Sequence, residues 1–101
     1  MKGFGNLYNS KKEMNKKTRF SQEKIKQAIQ FHLQGNISEA VKNYQQLISQ
    51  GCEECEVFSN YGVILQGLGN LQEAELLFRK AIEFNPDYAE AHSNLGALRM
   101  V

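Results

Sequence analysis

Tryptophan is absent from this sequence, proline occurs once, cysteine occurs twice, and no apolar run is long enough to cross a bilayer. The missing run excludes a membrane-spanning helix. Two cysteines cannot build the disulfide scaffold of a small secreted domain. The single proline, Pro86, leaves almost the whole chain free to be helical. Also lacking are a glycine-rich phosphate loop, a nucleophile-histidine-acid grouping and a paired set of acids, so neither an enzyme nor a cofactor is expected. What remains is a chain of 101 residues with 42% apolar content. That suffices for one helical domain, and is too little for a large pocket on a catalytic scaffold.

Charge is unevenly distributed although the formal total is only +1. Residues 1–26 hold eight Lys or Arg and two acids, whereas residues 27–101 hold four and nine. A basic arm over residues 1–20 thus precedes an acidic body, and the arm reads as disordered because its lysines are interspersed with Gly3, Gly5, Asn6, Asn9 and Asn15. Phe4, Leu7 and Tyr8 have the spacing of a single helical turn that would need a partner surface to hold it. Few aromatics interleave with the lysines, which ranks nucleic acid last among partners. The start has no apolar segment or cleavage site of a secretory signal, so a cytoplasmic address is expected.

Laid over itself at one constant offset, the sequence superimposes Gly35 on Gly69, Asn36 on Asn70, Glu39 on Glu73, Ala40 on Ala74 and Tyr44 on Phe78. A fixed period of this kind marks a helix-turn-helix unit that buries its apolar face only by stacking on a neighbour. In residues 55–88 the positions Phe58, Tyr61, Gly62, Leu65, Gly69, Ala74, Phe78, Ala81 and Pro86 resemble the tetratricopeptide repeat (TPR) family in register. Residues 21–54 match more loosely, through Ala28, Phe31, Gly35, Ala40, Tyr44 and Leu47, and residues 89–101 supply His92, Leu95 and Gly96 of an incomplete third repeat. The resemblance covers about four fifths of the chain. It implies an all-α, right-handed superhelix of antiparallel helix pairs, His92 at an aromatic core position, and protein binding as the class of function. The Lys, Asn and Gln content has a bacterial look.

Within each repeat the turns are written plainly. Gly35 and Gly69 suit helix C-termini, and Asn36-x-x-Glu39 and Asn70-x-x-Glu73 have the spacing of capping boxes. Ser21 and Asp87 are further N-cap candidates, and Pro86 ends the helix before it. Gly62 and Ala74 are small where two helices cross closely.

The resemblance also implies a concave groove lined by the first helix of each repeat, to which Lys26, Asn60 and Asn94 contribute one repeat apart. Ser59-Asn60-x-Gly62 and Ser93-Asn94-x-Gly96 are similar to the asparagine ladder of the O-linked N-acetylglucosamine transferase repeats. A carboxamide both donates and accepts, so it can bond an extended backbone without reading side chains. Lys26, Ile29, Ser59, Asn60, Val63, Gln66 and Asn94 are therefore the expected groove residues. The carboxylate clamp of some family members is not matched, because Glu90 stands where a Lys is wanted. Leu95, Leu98, Met100 and Val101 make an apolar end in place of a polar cap, which predicts either self-association there or an N-terminal fragment of a longer TPR-containing enzyme.

Cys52 and Cys55 supply two thiolates where a closed zinc site needs four ligands, so no metal is expected. Glu53, Glu54 and Glu56 around them disfavour a thiolate, which argues against redox chemistry. His32 has no neighbouring nucleophile and reads as packing or surface.

Overall fold

The computed structural model describes residues 22–99. The basic arm, Ser21, Met100 and Val101 lie outside the described residues. Among those described there are five helices and no strand: α1 over residues 22–33, α2 over Ile37–Ser49, α3 over Cys55–Gly67, α4 over Leu71–Phe84 and α5 over Ala89–Arg99. All-helical architecture follows from the sequence period. In α2 the buried residues are Ala40, Tyr44 and Leu47, and in α4 they are Ala74, Phe78 and Ala81, the same i, i+4, i+7 stripe one repeat later.

Short turns fold each pair back on itself. Gly35 and Gly69 have φ of +79° and +85°, a region that a Cβ makes costly. At the first turn the Gly35 amide donates to the His32 carbonyl (3.1 Å) and the Asn36 amide to the Phe31 carbonyl (2.9 Å). The second turn repeats this, with Gly69 to Gln66 (3.1 Å) and Asn70 to Leu65 (2.8 Å). These are Schellman closures, and a third at Gly51 ends α2. The expected capping boxes do not form: neither Asn36 nor Asn70 makes a side-chain cap bond. Their ψ values of 72° and 70° lie short of the extended geometry that swings a cap oxygen over the next amides. The turn before α5 is organised by Asn85, whose Oδ1 accepts the Asp87 amide (3.2 Å) and whose carbonyl accepts the Tyr88 amide (3.0 Å), rather than by the carboxylate of Asp87.

Packing between repeats creates three apolar clusters. Ile25, Ala28, Ala40, Tyr44, Leu47, Val57 and Ile64 join α1, α2 and α3. Leu65, Ala74, Phe78 and Leu98 join α3, α4 and α5, and Phe58, Ala81 and Ala91 form a third group beside them. α3 is buried on two sides, through Val57, Phe58, Ser59, Gly62, Ile64 and Leu65, because it has a helix pair on one flank and α5 on the other. Phe78 fills the space that the missing Gly62 side chain leaves.

Leu98, at 9% exposure, is a member of the Phe78 cluster, and the half-buried Leu95 packs against it. Both side chains are drawn inward because α5 covers the open flank of α3 and α4. His92 is exposed rather than in the core, its Nε2 lying 2.7 Å from the Pro86 carbonyl oxygen. Ala91, one position earlier, takes the buried place in the third cluster.

Candidate functional site

Three helices, α1, α3 and α5, carry the expected site residues, and a helical stripe left open to solvent runs along each. On α3 the stripe is Glu56, Asn60, Val63 and Gln66, spaced i, i+4, i+7, i+10, with Val63 38% exposed and Asn60 and Gln66 half-buried. The repeat register places Lys26 and Ile29 at the matching points of α1, exposed and half-buried, and Glu90, Asn94 and Ala97 on α5. Lys26, Ile29, Asn60, Val63, Gln66 and Asn94 all reach the surface of their helices. Ser59 does not: it is 1% exposed and its Oγ has no hydrogen-bond partner. One position before Asn60 on a helix is a rotation of about 100°, which turns Ser59 into the seam between repeats.

Close to Asn60 lies Tyr44. Its ring is fully buried, stacks on Tyr61 at 6.3 Å between centroids, and meets His32 edge-on at the same distance. The Tyr44 hydroxyl has no hydrogen-bond partner of regular geometry. Burial pushes its pKa above the ordinary phenol value, the nearby Asn60 carboxamide acts to lower it, and the charge of Glu56 raises it further. Tyr61, by contrast, is satisfied by Gln45, whose Nε2 donates to its hydroxyl at 2.9 Å.

The unsatisfied hydroxyl has a measurable consequence. Tyr44→Phe keeps the ring and removes a buried polar atom that gains little in return. The expected change is none, or a rise in stability of about 1 kcal/mol, read by urea denaturation. A fall of that size would show that the hydroxyl is bonded in solution.

A second phenol, Tyr88, packs against the third apolar cluster. The Tyr88 hydroxyl donates to Glu90 Oε2 at 3.0 Å. Its pKa is raised, first by burial, then by the bond and the charge of Glu90, with Cys55 and Glu56 adding to the effect. Glu56 and Glu90, on adjacent helices, therefore act on one hydroxyl. The sequence reading missed both as surface features of the site, taking Glu56 for a neighbour of the thiols and Glu90 for a break in a clamp. Their separation by one repeat period was the signal available. Leu33, 83% exposed at the end of α1, was also missed as a surface residue there.

Among the described residues no group of three potential metal ligands occurs. Cys52 and Cys55 are free and half-buried, with Cys55 Sγ accepting from Asn85 Nδ2 at 3.9 Å. Burial is the main influence raising the Cys52 thiol pKa, with Glu54 and Glu53 adding to it against one opposing backbone bond. No described helix is long and apolar enough to cross a membrane.

Away from this face, two small apolar hollows flank α4. One of about 200 Å³ is lined by Tyr61, Leu65, Glu73, Leu76 and Leu77, and one of about 160 Å³ by Leu71, Gln72, Glu75 and Leu98. Residues 62–100 match the family model described as TPR repeat. No curated protein matches the chain.

Proposed function

From the premise that this chain is a TPR-family protein, we propose that it holds an extended segment of a partner protein along the open face of α1, α3 and α5. The family consists in general of non-catalytic protein-interaction modules, which makes a protein the partner class. The observation that carries the reading is the repeated carboxamide. Asn60 and Asn94 stand one repeat apart on neighbouring helices, each half-buried, with Val63 and Ala97 one turn further along. Each carboxamide offers a donor and an acceptor to a guest backbone, while the apolar residue beyond it receives a guest side chain. The helices are held by buried clusters on both flanks of α3, so the face is formed before the guest arrives, which limits the ordering cost of binding.

Backbone amide shifts in a ¹⁵N-labelled chain test the location. The probe is a blocked nonapeptide of serine, leucine and lysine. The expected shifts fall on Asn60, Val63, Gln66 and Asn94 and spare α4. Shifts centred instead on Leu71, Leu76 and Leu77 would place binding in the hollows beside α4 and overturn the reading.

A further inference from the structure

We propose that residues 1–20 dock on their own chain beside α4, with the apolar side chains of Phe4, Leu7 and Tyr8 seated on the hollow between Tyr61 and Leu76. That surface is distinct from the open face of α1, α3 and α5, which the docking leaves free for a guest.

The hollow of about 200 Å³ is walled by Tyr61 and Leu65 of α3 and by Glu73, Leu76 and Leu77 of α4. It opens at a junction between repeats, because Tyr61 packs against both the first and the second apolar clusters. One wall is fixed in place, since Gln45 of α2 donates to the Tyr61 hydroxyl at 2.9 Å. The other carries Leu76, a large apolar side chain left 67% exposed. A space of this size takes one aromatic ring, which brings more apolar area than any other side chain that fits.

Chemistry, length and charge identify the occupant as the segment that precedes α1. Phe4, Leu7 and Tyr8 are spaced i, i+3, i+4, the apolar face of a helical turn that needs a surface to hold it. Thirteen residues lead from Tyr8 to Ser21, a reach of about 43 Å when extended. The twelve residues of α1 span about 18 Å, and the helix spacings between α1 and α4 add no more than about 30 Å across, so the hollow lies within about 35 Å of Gln22. Residues 1–20 carry six Lys or Arg and one acid, whereas residues 27–101 carry four and nine. On α4, Arg79 pairs with Glu75 at 3.0 Å and Lys80 with Glu83 at 3.5 Å, which leaves Glu73, on the wall of the hollow, with no ion pair among the described residues. Lys11 and Lys12 follow Tyr8 closely enough to supply its cation. Tethering adds to all three. A segment on a short linker meets its site at an effective concentration of about millimolar, so a contact too weak to recruit a separate molecule is populated within one chain.

The test compares backbone amide shifts of the ¹⁵N-labelled full chain, unaltered and as F4S/L7S/Y8S, at two concentrations. The triple substitution is expected to move the amides of Leu65, Glu73, Leu76 and Leu77 equally at both concentrations and to leave Lys26 and Asn94 in place. K11E/K12E is expected to move the same amides part of the way, and no movement there overturns the role of charge. L76D is the reciprocal variant, expected to move the amides of Phe4, Leu7 and Tyr8. Leu76 is exposed, so the fold does not depend on it, and circular dichroism establishes that each variant is folded. No change on α4 in F4S/L7S/Y8S, or none at Phe4, Leu7 and Tyr8 in L76D, overturns the docking. Changes at Lys26, Asn60 and Asn94 instead place the segment on the open face and overturn the hollow as its site. Changes at the hollow that vary with concentration assign the occupant to a second copy and overturn docking within one chain.

Discussion

Replacing Gly62 with alanine is expected to destabilise the fold by about 1–3 kcal/mol, the usual cost of an overpacked core. Elsewhere in a helix the same change stabilises by about 0.5–1 kcal/mol, because alanine loses less backbone freedom on folding. The sign reverses here because of one neighbour. A Cβ at position 62 would lie 2.7 Å from Phe78 Cε1, 2.9 Å from Cδ1 and 3.1 Å from Cζ. Phe78 is fully buried among Leu65, Ala74 and Leu98, so its ring has nowhere to move without disturbing both α4 and α5. Gly67 and Gly96 are the internal controls, since a Cβ at either meets nothing within 4 Å. Alanine at those positions should be neutral or stabilising in the same urea titration. In a double-mutant cycle, shortening Phe78 to leucine should offset part of the Gly62→Ala penalty, because the ring atoms responsible for the clash are gone. Additive losses would mean that the ring is not the cause.

That close approach was legible in the sequence as a small residue at a helix crossing, and the repeat period made the pairing of α3 with α4 legible too. The partner was less clear. Gly62 reads as opposed to another small residue, Ala74, whereas the atoms it meets belong to Phe78, about a turn further along α4. Local chemistry misled at Asn36 and Asn70. Asn-x-x-Glu is a sound cap spacing, but the Schellman closures at Gly35 and Gly69 set the backbone angles of the next residue first. The end of the chain was legible only in part. Leu95 and Leu98 look unprotected when α5 is read as an unfinished repeat, yet the first helix of a repeat has its own neighbours to cover, and both leucines go to that cluster. Ser59 shows the limit of carrying a motif as a block. Asn60 and Ser59 are adjacent in the motif and lie on different faces of the helix, one half-buried at the surface and one fully enclosed.

Asn60 and Asn94 carry the central claim, and replacing both with alanine should weaken binding of the lysine nonapeptide on the order of tenfold or more. Each lost carboxamide bond to a guest backbone contributes about 0.5–1.5 kcal/mol, and every 1.4 kcal/mol is a factor of ten. The fold should not change with it. Both residues lie outside the three apolar clusters, and alanine is the better helix former. Loss of binding without loss of structure is therefore the signature of a contact residue rather than a packing one. The direct measurement is an anisotropy titration of the lysine nonapeptide against the unaltered chain and the N60A/N94A variant, with helicity and urea midpoint recorded on both. The expected result is weaker binding by the variant, with helicity and midpoint unchanged. Equal affinity of the two chains for a peptide that both bind would contradict the role of the carboxamides.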